Sequence, residues 1–231
     1  MSDYTLYYWP APFRGQFVRS VLAHVHASWE EPGIGELSSL MDTAPAEQLV
    51  PFMGPPVLTD HAADLSLAQT SAILAYLGRK HGLTPDDPAR AALSDKIAAD
   101  ADDVLYEMTL HNGAQMWTPK SWNAYRPRLG RWMEIFEETG RRHGLTPQAG
   151  YLLGTEAPGL ADLTVHILWG TMTAKLPSLR SMLDETAPAI AGLSDRIAGL
   201  PEQDDLRARS DAEYGDEWCG GQIEASLRAV L

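Results

Sequence analysis

The sequence predicts a small α/β domain followed by an all-helical domain. Three observations carry this expectation. Strand and helix patterns alternate over the first eighty or so residues. The stretch Gly82-Leu83-Thr84-Pro85-Asp86-Asp87-Pro88 then interrupts them with linker chemistry. Beyond it the apolar residues recur only at helical spacing.

The elements follow in chain order. Tyr4-Thr5-Leu6-Tyr7-Tyr8-Trp9 is aromatic and β-favouring, and Pro10 stops it, so it predicts a strand. From Gly15 to Ala27 the residues Phe17, Val18, Val21, Leu22 and Val25 share a helical face. Glu31-Pro32-Gly33-Ile34-Gly35 breaks that pattern, and a second helix is expected over Leu37 to Leu49. Two short strands, around Pro56-Val57-Leu58-Thr59 and Asp64-Leu65-Ser66-Leu67, flank a turn from Asp60 to Ala63. Ala72, Ile73, Tyr76 and Leu77 mark a third helix ending near His81-Gly82. These divisions give a first domain over 1–81, a linker over 82–88 and a helical domain over 89–231. Helices of that domain are expected near Ala89–Gln115, Trp122–His143, Gly159–Thr173, Ala187–Gly199 and Glu202–Ser210, with an unpatterned tail.

Composition narrows the function. The 231 residues are 45% apolar and 21% charged, a globular balance with enough chain for a core. The net charge of −13 repels phosphates and argues against nucleic acid as a partner. No apolar run is long enough to predict a membrane span. The start Met1-Ser2-Asp3-Tyr4 has no basic lead or apolar signal core. A single cysteine, Cys219, excludes an internal disulfide or a cysteine-based metal cluster and points to a reducing, cytoplasmic setting. His24 and His26 stand two apart on a predicted helix and are not a metal pair, so no metal site is expected.

The order of elements and four motifs resemble the cytosolic glutathione transferases over nearly the whole chain. The strongest motif is Gly54-Pro55-Pro56-Val57-Leu58 followed by Gln69-Thr70-Ser71-Ala72-Ile73. In that family a cis-proline precedes the third strand, and an acidic-or-amide plus hydroxyl pair opens the third helix. Pro56 matches the proline; Gln69 and Thr70 match the pair. The second and third motifs, Gly159 through Asp162 and Ala187-Pro188 through Arg196, Pro201 and Leu206, match folding elements only. The fourth, Tyr4-Thr5-Leu6-Tyr7-Tyr8-Trp9-Pro10, resembles the pi-class start.

The resemblance implies a thioredoxin-like domain with a helical partner domain, and a homodimer. It implies glutathione as co-substrate and conjugation of its thiolate to an apolar electrophile. It makes Tyr8 the catalytic hydroxyl. The run from Tyr8 to Gly15 is two residues longer than in pi-class proteins and resembles the branch that uses Ser or Cys, where Ala11 now stands. Activation by Tyr8, activation by a backbone N–H of the first helix, and a binding module with little turnover all stay open. Peroxidase or reductase chemistry on the same thiolate stays open too.

Glutathione contacts are implied for Arg14, Pro55, Pro56, Gln69, Thr70 and Asp100, the last reaching across the dimer. Pro55 has no N–H, so only its carbonyl is available to the glutathione cysteine, a loss of about 0.5–1.5 kcal/mol. Trp9, Phe13, Tyr106 and His111 are candidates for the electrophile pocket, with Met108 and Trp117 beside them.

Overall fold

The computed structural model describes residues 2–231. Four strands come first: β1 (Tyr4–Tyr7), β2 (Trp29–Glu30), β3 (Val57–Asp60) and β4 (Leu65–Ala68). They form one sheet in the order β2-β1-β3-β4, with β1 parallel to β2 and antiparallel to β3. Tyr4 pairs with Asp60 and Tyr7 with Val57, so the expected hairpin of β3 and β4 is zipped onto β1. Three helices accompany the sheet: α1 (Phe13–His24), α2 (Ile34–Asp42) and α3 (Thr70–Lys80).

Helices alone follow: α4 (Pro88–Met108), α5 (Pro119–Arg142), α6 (Leu160–Val165), a π-helical turn (His166–Thr171), α7 (Met172–Lys175), α8 (Arg180–Thr186), α9 (Pro188–Ala198), α10 (Pro201–Tyr214) and α11 (Gly221–Arg228). One apolar core runs through both halves. Leu6, Val18, Leu22 and Leu74 belong to it, as do Ile97, Met133, Phe136 and Trp169.

Several boundaries differ from the expectations, each for a local reason. The first strand stops at Tyr7, and Tyr8 already lies in the bend towards α1. α2 begins at Ile34, with Gly33 as its extended N-cap, and ends at Asp42. Pro45 disfavours helical backbone at the preceding residue, so the helix does not reach Leu49. α5 starts at Pro119 because Thr118 and Ser121 form a reciprocal cap ahead of Trp122.

α4 ends at Met108, seven residues short of the expected Gln115. There Thr109 donates to the Leu105 carbonyl at 2.9 Å and accepts the Asn112 N–H at 3.2 Å. Leu110, His111, Asn112 and Gly113 then all take positive φ, a short left-handed turn. The tail is not unpatterned: it carries α11. Glu224 Oε2 accepts the N–H groups of Trp218, Cys219 and Gly220 at 2.7–2.9 Å, which satisfies donors at the head of that helix.

Asp162 binds the Gly159 N–H at 2.8 Å and the Leu152 N–H at 2.7 Å. It thereby starts α6 although the N-cap, Gly159, has no hydroxyl.

Candidate functional site

The first turn of α1 organises the site. Tyr8 leaves β1 and lays its ring against Gly15, where an added Cβ would stand 2.3 Å from Tyr8 Cδ1. Only glycine lets the ring come this close. The Tyr8 hydroxyl accepts the backbone N–H of Arg14 at 2.9 Å. That N–H belongs to the first turn of α1, where amides have no partner within the helix. Tyr8 is 6% exposed, and burial pushes its pKa up to about 12 despite the opposing pull of Arg14 and Arg19. The phenol therefore keeps its proton at neutral pH. Tyr7 points elsewhere: it is half-buried near Glu36 of α2.

Arg14 extends towards α4. Its Nε lies 3.7 Å from Asp102 Oδ1, and its guanidinium covers the Phe13 ring at 4.8 Å. Among the described residues it makes no side-chain hydrogen bond, so its donor fork is available. Burial raises the Asp102 pKa, while Arg14 and Ser71, at the head of α3, act in the opposite sense. Asp102 thus brings together α1, α3 and α4.

Asp100 is placed differently. It pairs with Lys96 on its own helix, and the acid facing Arg14 is Asp102.

The turn before β3 has the expected backbone. The Pro55–Pro56 peptide bond is cis. Gln69 opens α3 with φ 75° and is exposed, while Thr70 is buried. The Ile73 N–H closes onto the Gln69 carbonyl at 3.0 Å. The earlier amides of the helix lack that intrahelical bond, as helix starts do. Such amides, with the positive end of the helix dipole, favour a carboxylate, and Ser71 already faces that of Asp102.

The aromatic candidates divide. Phe13, at φ 22°, meets Trp218 edge-to-face at 5.1 Å, and its N–H donates to the Trp218 carbonyl at 3.1 Å. The C-terminal tail therefore packs directly on the start of α1. The Tyr106 and His111 rings meet at a tilt of 54° with centroids 4.7 Å apart, and Tyr106 is 43% exposed. Trp9 is 39% exposed.

Two neighbours belong to the interior. Met108 is fully buried, and Trp117 packs on Trp122 and Tyr125 while its indole N–H donates to the Met108 carbonyl at 2.8 Å. Burial and the acids Glu224 and Glu217 push the Cys219 thiol up to about 12, which favours its protonated form at neutral pH. Among the described residues no group of three His, Cys, Asp or Glu side chains is placed to hold a metal. None of their helices is long and apolar enough to cross a membrane.

Comparison with known proteins gives this geometry a family. The model of the glutathione S-transferase C-terminal domain matches residues 93–230.

The chain belongs to the glutathione S-transferase family. Glutathione S-transferase P of Capra hircus is 35% identical over 104 residues, 45% of this chain and 48% of that protein. The Bos taurus protein of the same name matches to the same extent. The chain thus aligns with about half the length of these two relatives. A glutathione S-transferase of Plasmodium falciparum is 23% identical over 205 residues, 87% of this chain and 92% of that protein. The solved pi-class glutathione S-transferase of Onchocerca volvulus superposes with a TM-score of 0.73 at 17% identity, covering 91% of this chain and 94% of that one. The glutathione S-transferase fold, a thioredoxin-like domain followed by a helical domain, is therefore the fold of this chain.

Proposed function

We propose that the chain is a glutathione transferase in which Tyr8 stabilises the thiolate of bound glutathione. The observation that carries this reading is the bond between the Tyr8 oxygen and the Arg14 N–H. With that lone pair engaged and the phenol protonated, the hydroxyl proton is available to a sulfur at the head of α1. A free thiol of pKa ~8.5 is only about 3% thiolate at pH 7. Lowering it by two units takes about 2.7 kcal/mol, and one hydrogen bond to a charged group supplies about 1.5–3 kcal/mol. The start of α1 adds its dipole in the same sense.

The remaining contacts fit a tripeptide with two carboxylates. Arg14 offers a planar fork, oriented by Asp102. The N-terminal amides of α3, with Gln69 and Thr70, suit the γ-glutamyl carboxylate. The carbonyl of Pro55 accepts from the glutathione cysteine N–H, and the missing return bond makes glutathione binding weak for such a site. Phe13, Trp9, Tyr106 and His111 wall the electrophile side, with Trp218 backing Phe13. In the reaction the thiolate forms a carbon–sulfur bond, the leaving group departs with the electron pair of the broken bond, and the thiol proton goes to solvent.

A homodimer in the cytoplasm belongs to the same reading. Met53, 91% exposed in the loop before β3, is an apolar side chain that such an interface would cover. In the dimer, Asp100 is the acid offered across the interface to the γ-glutamyl amine.

The test is conjugation of glutathione to 1-chloro-2,4-dinitrobenzene. Turnover above the solution rate, reduced about 10–30-fold at pH 7 in Tyr8→Phe, is expected from the change in thiolate fraction. Saturable glutathione binding without turnover would overturn the reading.

A further inference from the structure

A second cavity, of about 610 Å³, lies in the helical half. The π-helical turn and α7 form one wall, and α9 and α10 the other. Neither Tyr8, Arg14, Pro55 nor Asp102 lines it, so it is separate from the cleft assigned to glutathione. Its size falls in the range of about 300–1,000 Å³ that holds small organic molecules.

The wall owes its shape to the π-helical turn, a rare geometry that recurs at functional sites. The turn places His166 and Gly170 at the cavity. A Cβ on Gly170 would stand 2.9 Å from His166 Nδ1 and 3.2 Å from Ser194 Cβ, so a side chain there would displace the wall.

The cations on the wall are already spoken for. Lys175 holds Asp211 at 2.7 Å and the Gly215 carbonyl. Arg180 forks onto Asp195 with two bonds of 2.8 Å. Arg207 bridges Asp204 and Asp211. An anion would have to displace one of these acids, in a chain whose net charge is −13.

Of the neutral polar groups, Thr173, Gln16 and Gln203 are bonded to Gly170, Arg19 and Ser20, but three others keep bonding capacity. His166 Nδ1 lies 3.1 Å from the Ser194 carbonyl, an acceptor, so Nδ1 carries the proton and donates. Burial pushes the imidazole pKa down to about 4, against the weaker opposing pull of Asp195, so the ring is neutral at pH 7. Its Nε2 is then a lone-pair acceptor, and among the described residues nothing donates to it. Ser194 and Ser210 also line the cavity, and their buried hydroxyls have no partner. A turn about χ1 redirects either one. Ile167, Ala198 and Leu206 supply apolar wall.

We propose that this cavity binds a neutral, largely apolar molecule bearing one hydroxyl group, a phenol or aryl alcohol. The ligand hydroxyl donates to His166 Nε2 and accepts from Ser194 or Ser210, and its ring lies on Ile167, Ala198 and Leu206.

The probe is 2-naphthol, uncharged at pH 7, titrated onto the full chain by equilibrium dialysis with and without saturating S-hexylglutathione. S-Hexylglutathione occupies the glutathione and electrophile sites, so their failure and the failure of this cavity read out separately. One saturable site per chain, unaffected by S-hexylglutathione, is expected. Ala174→Trp, at an exposed rim position of the cavity, should weaken it by at least about tenfold. His166→Phe, which removes the acceptor, should weaken it by about fivefold. 2-Naphthoate, the same ring with a negative charge, should not bind there. Complete displacement of naphthol by S-hexylglutathione, binding indifferent to both variants, or no saturable binding would each overturn the proposal.

Discussion

The Tyr8 hydroxyl accepts the backbone N–H of Arg14 at 2.9 Å, across six residues that turn the chain from the sheet into α1. One oxygen thereby satisfies a donor of the first helical turn and fixes the phenol beside it. The bond has a structural value apart from catalysis. Tyr8→Phe leaves a partly buried N–H unpaired, which costs about 1–3 kcal/mol. A urea midpoint lowered accordingly, with an unchanged slope, is the expected result.

The close packing of Tyr8 on Gly15 is a second handle. In Gly15→Ala the new methyl meets ring carbons 2.3 Å and 2.7 Å away, and a rigid ring yields only by moving as a whole. Overpacking of this kind costs about 1–3 kcal/mol. The displaced hydroxyl should also lose its register on the Arg14 N–H. Conjugation with glutathione should therefore fall in kcat more than in the KM for the electrophile, measured by steady-state kinetics. A variant as active and as stable as wild type would mean that the contact relaxes freely.

Asp162 serves two segments at once, holding the Leu152 and Gly159 amides with one oxygen each. Asp162→Ala strands both donors, at about 1–3 kcal/mol apiece. Asp162→Asn retains one acceptor and should recover roughly half of that loss. Thermal unfolding of the two variants should rank wild type, Asn, Ala, with Ala the least stable.

His166 makes stability depend on pH. Its folded pKa, pushed down to about 4 by burial, lies below the ordinary value of about 6.5. The unfolded chain then binds the proton first. The contribution is fully present above pH 6.5 and is lost as pH falls through about 4. The full span corresponds to roughly 3 kcal/mol. His166→Phe should flatten the stability profile between pH 6.5 and 4, as followed by urea denaturation at stepped pH. An equally steep profile in the variant would assign the dependence to other groups.

What the sequence disclosed, and what it did not, follows from the range of the interactions involved. The hairpin of β3 and β4, the apolar face of α1 and the long helices α4 and α5 declare themselves through local periodicity. α8 spans only Arg180–Thr186, too short to establish a period. α11 depends on Glu224 reaching back to three amides around Gly220, and the sequence shows no hydroxyl cap there. The end of α4 is set by Thr109 and a left-handed turn that begins at Leu110, a residue with no preference for positive φ.

The same distinction runs through the site. Tyr8 and Arg14 are adjacent to a strand end and a helix start, both visible in the sequence. Asp100 and Asp102 flank the buried stripe of Ile97, Ala101 and Val104 on opposite sides. Which of them meets α1 is decided by how α4 packs against α3, a tertiary relation. The second cavity was equally hidden, because its walls come from segments far apart in the chain and from a π-helical turn that periodicity does not distinguish from α-helix.

The central claim is that the proton of Tyr8 stabilises a glutathione thiolate. The direct measurement is the ultraviolet thiolate absorbance of glutathione bound to wild type and to Tyr8→Phe, titrated with pH. The account predicts a bound-thiol titration well below that of free glutathione in wild type, moved back up by about two pH units in the variant. A low titration retained in Tyr8→Phe would contradict it and assign activation to the backbone amides at the start of α1.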